Sequence, residues 1–146
     1  MNATRDYLFH SGAQLVNSFS VISIGVVNYS QTATDRCLSN TTGPSANCTD
    51  WYGNGLSSAA GTVTDVGKSG GSESTNGNVS ISKTFTCTLC VNTVINGTGL
   101  YNKTFAGDTN GNVNAGDLNL FAEANFTSAT LQTNDQINVT WFIWTQ

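Results

Sequence analysis

Charge is what this chain has least of. Lys, Arg, Asp and Glu make up 10% of its 146 residues, against about 25% in an ordinary soluble domain. The five basic residues, Arg5, Arg36, Lys68, Lys83 and Lys103, are scattered. Scattered single cations do not line up against a phosphate backbone, so the sequence argues against a nucleic-acid partner. Proline occurs once, at Pro44, and histidine once, at His10. Long hydrophobic runs are also missing. With no stretch of about 18 apolar residues, no segment reads as a membrane-crossing helix, and no membrane partner is expected. The most apolar early stretch, Ala13 to Val27, is interrupted by Asn17, Ser18, Ser20 and Ser23 and has no basic flank or A-x-A site. It is a poor fit to a secretory signal.

Hydroxyls and amides take the place of charge. Asn, Ser, Thr and Gly fill nearly half the positions, and the net charge is −4 with a pI near 4.5. Such a composition permits disorder. The 10% of aromatic residues and the Val/Ile clusters argue for a packed core in most of the chain. The region from Gly53 to Asn78 has few large apolar groups and reads as a long surface loop or a series of weak edge strands.

Helix spacing is almost absent, because Gly or β-branched residues interrupt every i, i+3, i+4, i+7 pattern. Strand patterns recur instead. They are expected near Asn17–Tyr29, Thr62–Val66, Asn78–Thr93, Leu100–Phe105, Leu118–Phe126 and Asp135–Trp144. Gly/Asn-rich turns separate them. The expected fold is all-β: a single-domain β-sandwich, jelly-roll-like, with long polar loops. Residues 1–16 read as an N-terminal arm and residues 17–146 as the sandwich.

Two late strands carry apolar residues on faces that ought to be wet. In "DLNLFAEANF", Leu118, Leu120, Ala122, Ala124 and Phe126 share one face, and Phe121 falls on the other with Asn119, Glu123 and Asn125. In "DQINVTWFIWTQ", Ile137, Val139, Trp141 and Ile143 alternate with Gln136, Asn138 and Thr140, but Phe142 and Trp144 join the polar side. If these two strands pair, an aromatic patch forms on the outer surface, and such a patch marks either a protein contact or a covering loop. The first residues, "MNATRDYLFHSGAQLVN", hold Tyr7, Leu8, Phe9 and Leu15 with no clean period of their own. They fit a strand added to a neighbouring subunit.

Catalytic signals are weak. "GKSGG" from Gly67 to Gly71 matches a nucleophile-elbow pattern formally, but no strand-to-helix context surrounds Ser69. The same glycines miss phosphate-loop spacing by one residue. Asp108, Asn110, Asn112, Asn114 and Asp117 resemble a calcium loop that is two residues short and poor in carboxylates, so a solvated turn explains them better. No catalytic residue, metal or cofactor is expected.

The four cysteines carry more. Cys37 and Cys48 bound a loop and are expected to pair. Cys87 and Cys90 stand three residues apart. In an extended strand they would lie about 10 Å apart on opposite faces, so a bridge between them needs a turn or bulge. A four-cysteine zinc site would have one correctly spaced half only. Disulfides would place the protein in an oxidising compartment. Nine N-x-[ST] sequons are present, at Asn2, Asn28, Asn40, Asn47, Asn78, Asn96, Asn102, Asn125 and Asn138. A polar strand face produces N-x-T without any glycan, because i and i+2 share a side. The loop sequons Asn40, Asn47, Asn96 and Asn102 are therefore the candidates for N-linked glycans.

The segments "TVINGTGLYN" (93–102), "LNLFAEANFTSATLQTNDQINVTW" (118–141) and "VISIGVVN" (21–28) together resemble phage-type virion and tail-fibre accessory proteins. The shared pattern is a strand ending in a G-L-[FY]-N turn, an F-A-x-A-x-F strand and a final strand ending V-T-W. Asn134 stands where that pattern has Gly, and cysteines are not part of it. The resemblance implies a structural β-protein of a virion or filament. The function expected is a non-enzymatic subunit, extracellular or virion-associated, that assembles with itself through Tyr7, Leu8, Phe9, Phe121, Phe142 and Trp144. The competing class is a secreted carbohydrate- or receptor-binding sandwich using Trp51, Tyr52 and Tyr101.

Overall fold

The computed structural model describes residues 19–27, 37–38, 48–51, 53–65, 78–102, 104 and 120–144. Seven strands account for most of them: β1 Val21–Gly25, β2 Ala59–Ala60, β3 Thr62–Asp65, β4 Val79–Thr86, β5 Thr93–Tyr101, β6 Leu120–Leu131 and β7 Gln136–Ile143. No helix occurs among the described residues. Sheet A has the order β2-β1-β5-β6 and sheet B the order β3-β4-β7, every pairing antiparallel. The two sheets pack face to face as a single all-β domain.

The main core fills the space between them. Ile22 and Ile24 of β1, Ile95 and Leu100 of β5, Val79, Ile81 and Phe85 of β4 and Val139 of β7 meet there with Leu56, Leu131, Cys87 and Cys90. The period-2 pattern of β4 explains its part: Val79, Ile81 and Phe85 are buried while Ser80, Ser82 and Thr84 stay wetter. A second cluster lies on the opposite face of sheet A, where Val21 and Tyr101 pack with Cys37, Cys48 and Leu120. Sheet A is thus covered on both sides, which is why all five residues of β1 are buried.

Glycine disguises β5 in the sequence. "INGTG" looks like a turn, yet it is a strand interior. Its glycines answer close approach: a Cβ at Gly97 would collide with Val27, and one at Gly99 would lie 2.6 Å from the Tyr101 ring. The region from Gly53 onward does contain weak edge strands, β2 and β3, and these pass from one sheet to the other across Gly61.

Two expectations about the late strands change. First, β6 and β7 do not pair with each other: β6 borders sheet A beside β5, and β7 borders sheet B beside β4. The turn between them switches sheets because it is tied to the end of β4, with Cys87 N–H donating to Asp135 O (2.9 Å) and Asn134 N–H donating to Cys87 O (2.7 Å). Asn134 adopts φ 73° there, a left-handed conformation that Gly and Asn accept most readily. Second, the simple alternation of β6 fails at its start. Leu100 faces Ala122 and Tyr101 faces Leu120, so Phe121 is an extra residue in a bulge. Leu120 therefore packs beside Tyr101, on the face opposite Ala122 and Ala124.

Candidate assembly surface

Both strand directions and both sheets agree on two poles. One pole holds the start of β1 and β6 and the end of β7. The other holds the turns at 87–92 and 132–135. Large apolar side chains are exposed at each. At the first, Phe142 is 58% and Trp144 63% exposed; their rings stack at 6.3 Å on the outer side of β7. Phe121 is also exposed, with its ring 4.9 Å from that of Phe19. At the second, Leu89 and Val91 are 68% and 80% exposed. Sequence reading found Phe121, Phe142 and Trp144; it missed Leu89 and Val91, which sit in a strand-like run that turns out to be a turn. Tyr7, Leu8 and Phe9 lie outside the described residues.

The outer face of sheet B leading to Phe142 is a ladder of small polar groups. Asn138 donates to Thr84 Oγ1 (2.8 Å), Gln136 donates to Thr86 Oγ1 (3.0 Å) and Thr140 donates to Asn138 Oδ1 (3.2 Å). Amide and hydroxyl rows satisfy each other here, as cross-strand neighbours should. Among the described residues on the outer side of β4 and β7, no charge interrupts the approach to the aromatic pair.

The cysteines are paired as Cys37–Cys48 and Cys87–Cys90. The first bridge has Cα atoms 5.6 Å apart. The second is possible because the chain leaves strand geometry after Thr86 and turns, bringing the Cα atoms to 5.9 Å. Thr133 Oγ1 accepts from Cys90 N–H and donates to Cys90 O, joining that turn to the β6–β7 turn. No cysteine is free, so no thiolate remains for zinc. The cluster of Cys37, Cys48 and Asp50 consists of a disulfide beside a carboxyl, not a ligand set.

That carboxyl, Asp50, is the polar centre that sequence reading did not find. It bridges to β1 at Gly25 and is buried. Oδ1 accepts from the Ser23 and Tyr101 hydroxyls, and Oδ2 accepts from Leu38 N–H at 3.1 Å. Tyr101, fully buried, also receives Leu38 N–H on its hydroxyl oxygen at 3.0 Å. Asp50 thus clamps the disulfide-tied segment onto sheet A. Burial pushes its carboxyl above the ordinary 3.8, and the Ser23, Tyr101 and Leu38 bonds only partly oppose this. Burial, then the Asp50 charge, holds the Tyr101 phenol well above 10.

The sign of the pH effect follows. The folded state holds the Asp50 proton more tightly than the unfolded chain does. Its contribution to stability is therefore full below 3.8 and is lost as pH rises through the elevated folded value. Between those two values, acidification is expected to widen the stability gap between the native chain and Asp50→Asn. Urea midpoints of both chains across that range check it; a gap that narrows toward acid contradicts it.

Of the four glycan candidates, Asn40 and Asn47 lie outside the described residues. Asn96 is tied to the main chain: Oδ1 accepts from Val27 N–H (2.6 Å) and Nδ2 donates to Val27 O (3.1 Å). Its sequon hydroxyl, Thr98 Oγ1, is buried and donates to Ser23 O (2.8 Å). Asn102 keeps its Oδ1 buried, with no hydrogen-bond partner. Asn96 is accordingly expected to stay bare in glycopeptide mapping of the chain expressed through a glycosylating secretory pathway, whatever the other sites carry. A glycan on Asn96 would mean that the Val27 bonds do not form.

The formal elbow at 67–71 and the Asn/Gly loop at 108–117 lie outside the described residues. Of the aromatics considered for sugar stacking, Tyr101 is inaccessible, Trp51 is half-buried and Tyr52 is outside the description. No protein-family model matches this chain, and neither does any curated protein or any solved structure.

Proposed function

We propose that this protein is a non-enzymatic structural subunit that assembles with itself into an extracellular filament or a virion- or tail-like array, through strand donation by its N-terminal arm and aromatic contacts. The observation that carries the reading is the pair of unlike apolar poles: Phe121, Phe142 and Trp144 at one end, Leu89 and Val91 at the other. Unlike surfaces on opposite ends make a head-to-tail contact, and repetition of such a contact gives an open polymer unless rotation closes it into a ring. Each large apolar side chain taken from water contributes about 1.5–3 kcal/mol, so a few of them offset much of the cost of ordering an arm. The two disulfides support an oxidising location.

Negative-stain images of the purified chain test it. Polymers are expected, and deletion of residues 2–15 is expected to abolish them. A chain that stays monomeric at high concentration, or a truncated chain that polymerises unchanged, overturns the reading. A monomer that binds immobilised polysaccharide would favour the carbohydrate-binding class instead. The burial of Tyr101 weakens that class.

A further inference from the structure

Sheet A has four strands and sheet B three. They share one border, because β2 runs into β3 with only Gly61 between. Counting from that border, β6 has no strand facing it among the described residues. Its side chains show the consequence. Opposite Leu100 and Thr98, β6 turns Ala122 and Ala124 toward the interior, and both remain half-exposed, while Phe126 further along is exposed. On β7 the inward Ile137, Trp141 and Ile143 are also only partly buried. The indole N–H of Trp141 is buried without a hydrogen-bond partner. Among the described residues the other main-chain edge of β7 carries no pairing and borders this slot, since β4 pairs with the opposite edge. An open edge over an unfilled apolar slot is a template for an added strand.

We propose that the slot between β6 and the free edge of β7 is the acceptor for residues 7–15 of a second copy of this chain, which pair antiparallel with β7 and complete sheet B. This rests on the strand-donation reading above and names the place where the arm docks.

Composition fits the occupant. In an extended arm Tyr7, Phe9, Ala13 and Leu15 fall on one side. That side presents large rings where β6 offers the small side chains of Ala122 and Ala124. Leu8 then falls on the outer side, the side that bears Phe142 and Trp144. Length fits as well: the 18 residues before Phe19 span up to about 60 Å when extended, against about 27 Å for a strand as long as β7.

Direction selects a second copy. The arm joins the fold at Phe19, at the pole where β7 ends. Folded back on its own β7, the arm would run toward that pole, parallel to β7. Every described pairing is antiparallel, and parallel pairing is the slightly weaker kind. In a head-to-tail neighbour with the same orientation, the arm enters past Leu89 and Val91 and runs opposite to β7. The same geometry that joins unlike poles gives the antiparallel pairing.

Two full-length variants test this. Tyr7→Asp with Phe9→Asp spoils the donor; Ala124→Glu puts a carboxylate in the acceptor. Each alone is expected to raise the concentration needed for polymers by at least about a hundredfold, because a buried unpaired carboxylate is so unfavourable. Mixed, they are expected to form a 1:1 complex that grows no further, since one good arm meets one good slot. Polymers from Ala124→Glu at the native concentration, or no complex on mixing two folded variants, overturn the proposal. If only the donor variant fails to polymerise, strand donation stands and the acceptor lies elsewhere. If the donor variant polymerises normally, the arm-based reading itself fails. Should Ala124→Glu not fold, hydrogen exchange on native polymers decides: β7 amides must be more protected than in the donor variant, and unchanged β7 exchange overturns the proposal.

Discussion

Replacing Asp50 by alanine is expected to remove about 3 kcal/mol of unfolding free energy, because two buried hydroxyls lose their acceptor and a cavity opens beside them. The hydroxyls are those of Ser23 and Tyr101, and both residues are fully buried. Leu38 N–H keeps one acceptor, the Tyr101 hydroxyl oxygen, and so adds less to the loss. Asp50→Asn is expected to fall between alanine and the native residue. Its amide oxygen still receives the hydroxyls, but its NH2 then points at another donor, Leu38 N–H. Asp135→Ala is the contrast: Asp135 Oδ2 also accepts a main-chain N–H, from Gln132 at 2.7 Å, but in an exposed turn where water replaces it. Urea unfolding of the three variants checks the order. Equal losses at positions 50 and 135 would show that burial does not set the cost.

The sequence revealed most of the strands but not how they are shared between sheets. Alternation located β1, β3 and β7 to within a few residues and found the start of β4, but carried β4 on to Thr93 through the turn that follows Thr86. It blurred β5, whose glycines are there to admit Val27 and the Tyr101 ring rather than to turn the chain. It misplaced the face of Leu120, since a single extra residue at Phe121 inverts everything before it. The exposed rings of Phe142 and Trp144 were legible as exceptions to a polar face. That no described strand lies opposite β6 was not, because it depends on which sheet each strand joins. Asp50 gave no local signal either: its partners Ser23, Leu38 and Tyr101 are separated from it by 27, 12 and 51 residues. A buried carboxyl held by distant hydroxyls is visible only once the fold brings them together.

The disulfide between Cys37 and Cys48 and the carboxyl of Asp50 are expected to act as one unit. The bridge closes a segment of separation 11, and removing it as Cys37→Ala with Cys48→Ala is expected to cost about 3 kcal/mol from loop entropy, on the model that attributes the gain to the unfolded chain. The two sulfurs also belong to the small cluster with Val21 and Tyr101, so their loss thins the packing that keeps Asp50 from water. Main-chain links then still hold the end of the segment beside β1: Val26 N–H donates to Thr49 O, the Thr49 hydroxyl donates to Val26 O, and Trp51 N–H donates to Ile24 O. Without the bridge, water reaches Ser23 and Tyr101 more readily, and losing their acceptor matters less. Adding Asp50→Ala to the bridge-less chain should therefore cost less than it does alone, with a coupling of about 1–3 kcal/mol between the changes. The Cys87–Cys90 pair supplies the control. It closes a separation of only 3 and packs into the main core beyond the other face of sheet A. Its removal should couple weakly to Asp50. A double-mutant cycle from urea unfolding measures both terms, and additivity at Cys37–Cys48 would show that the bridge and the carboxyl hold the segment independently.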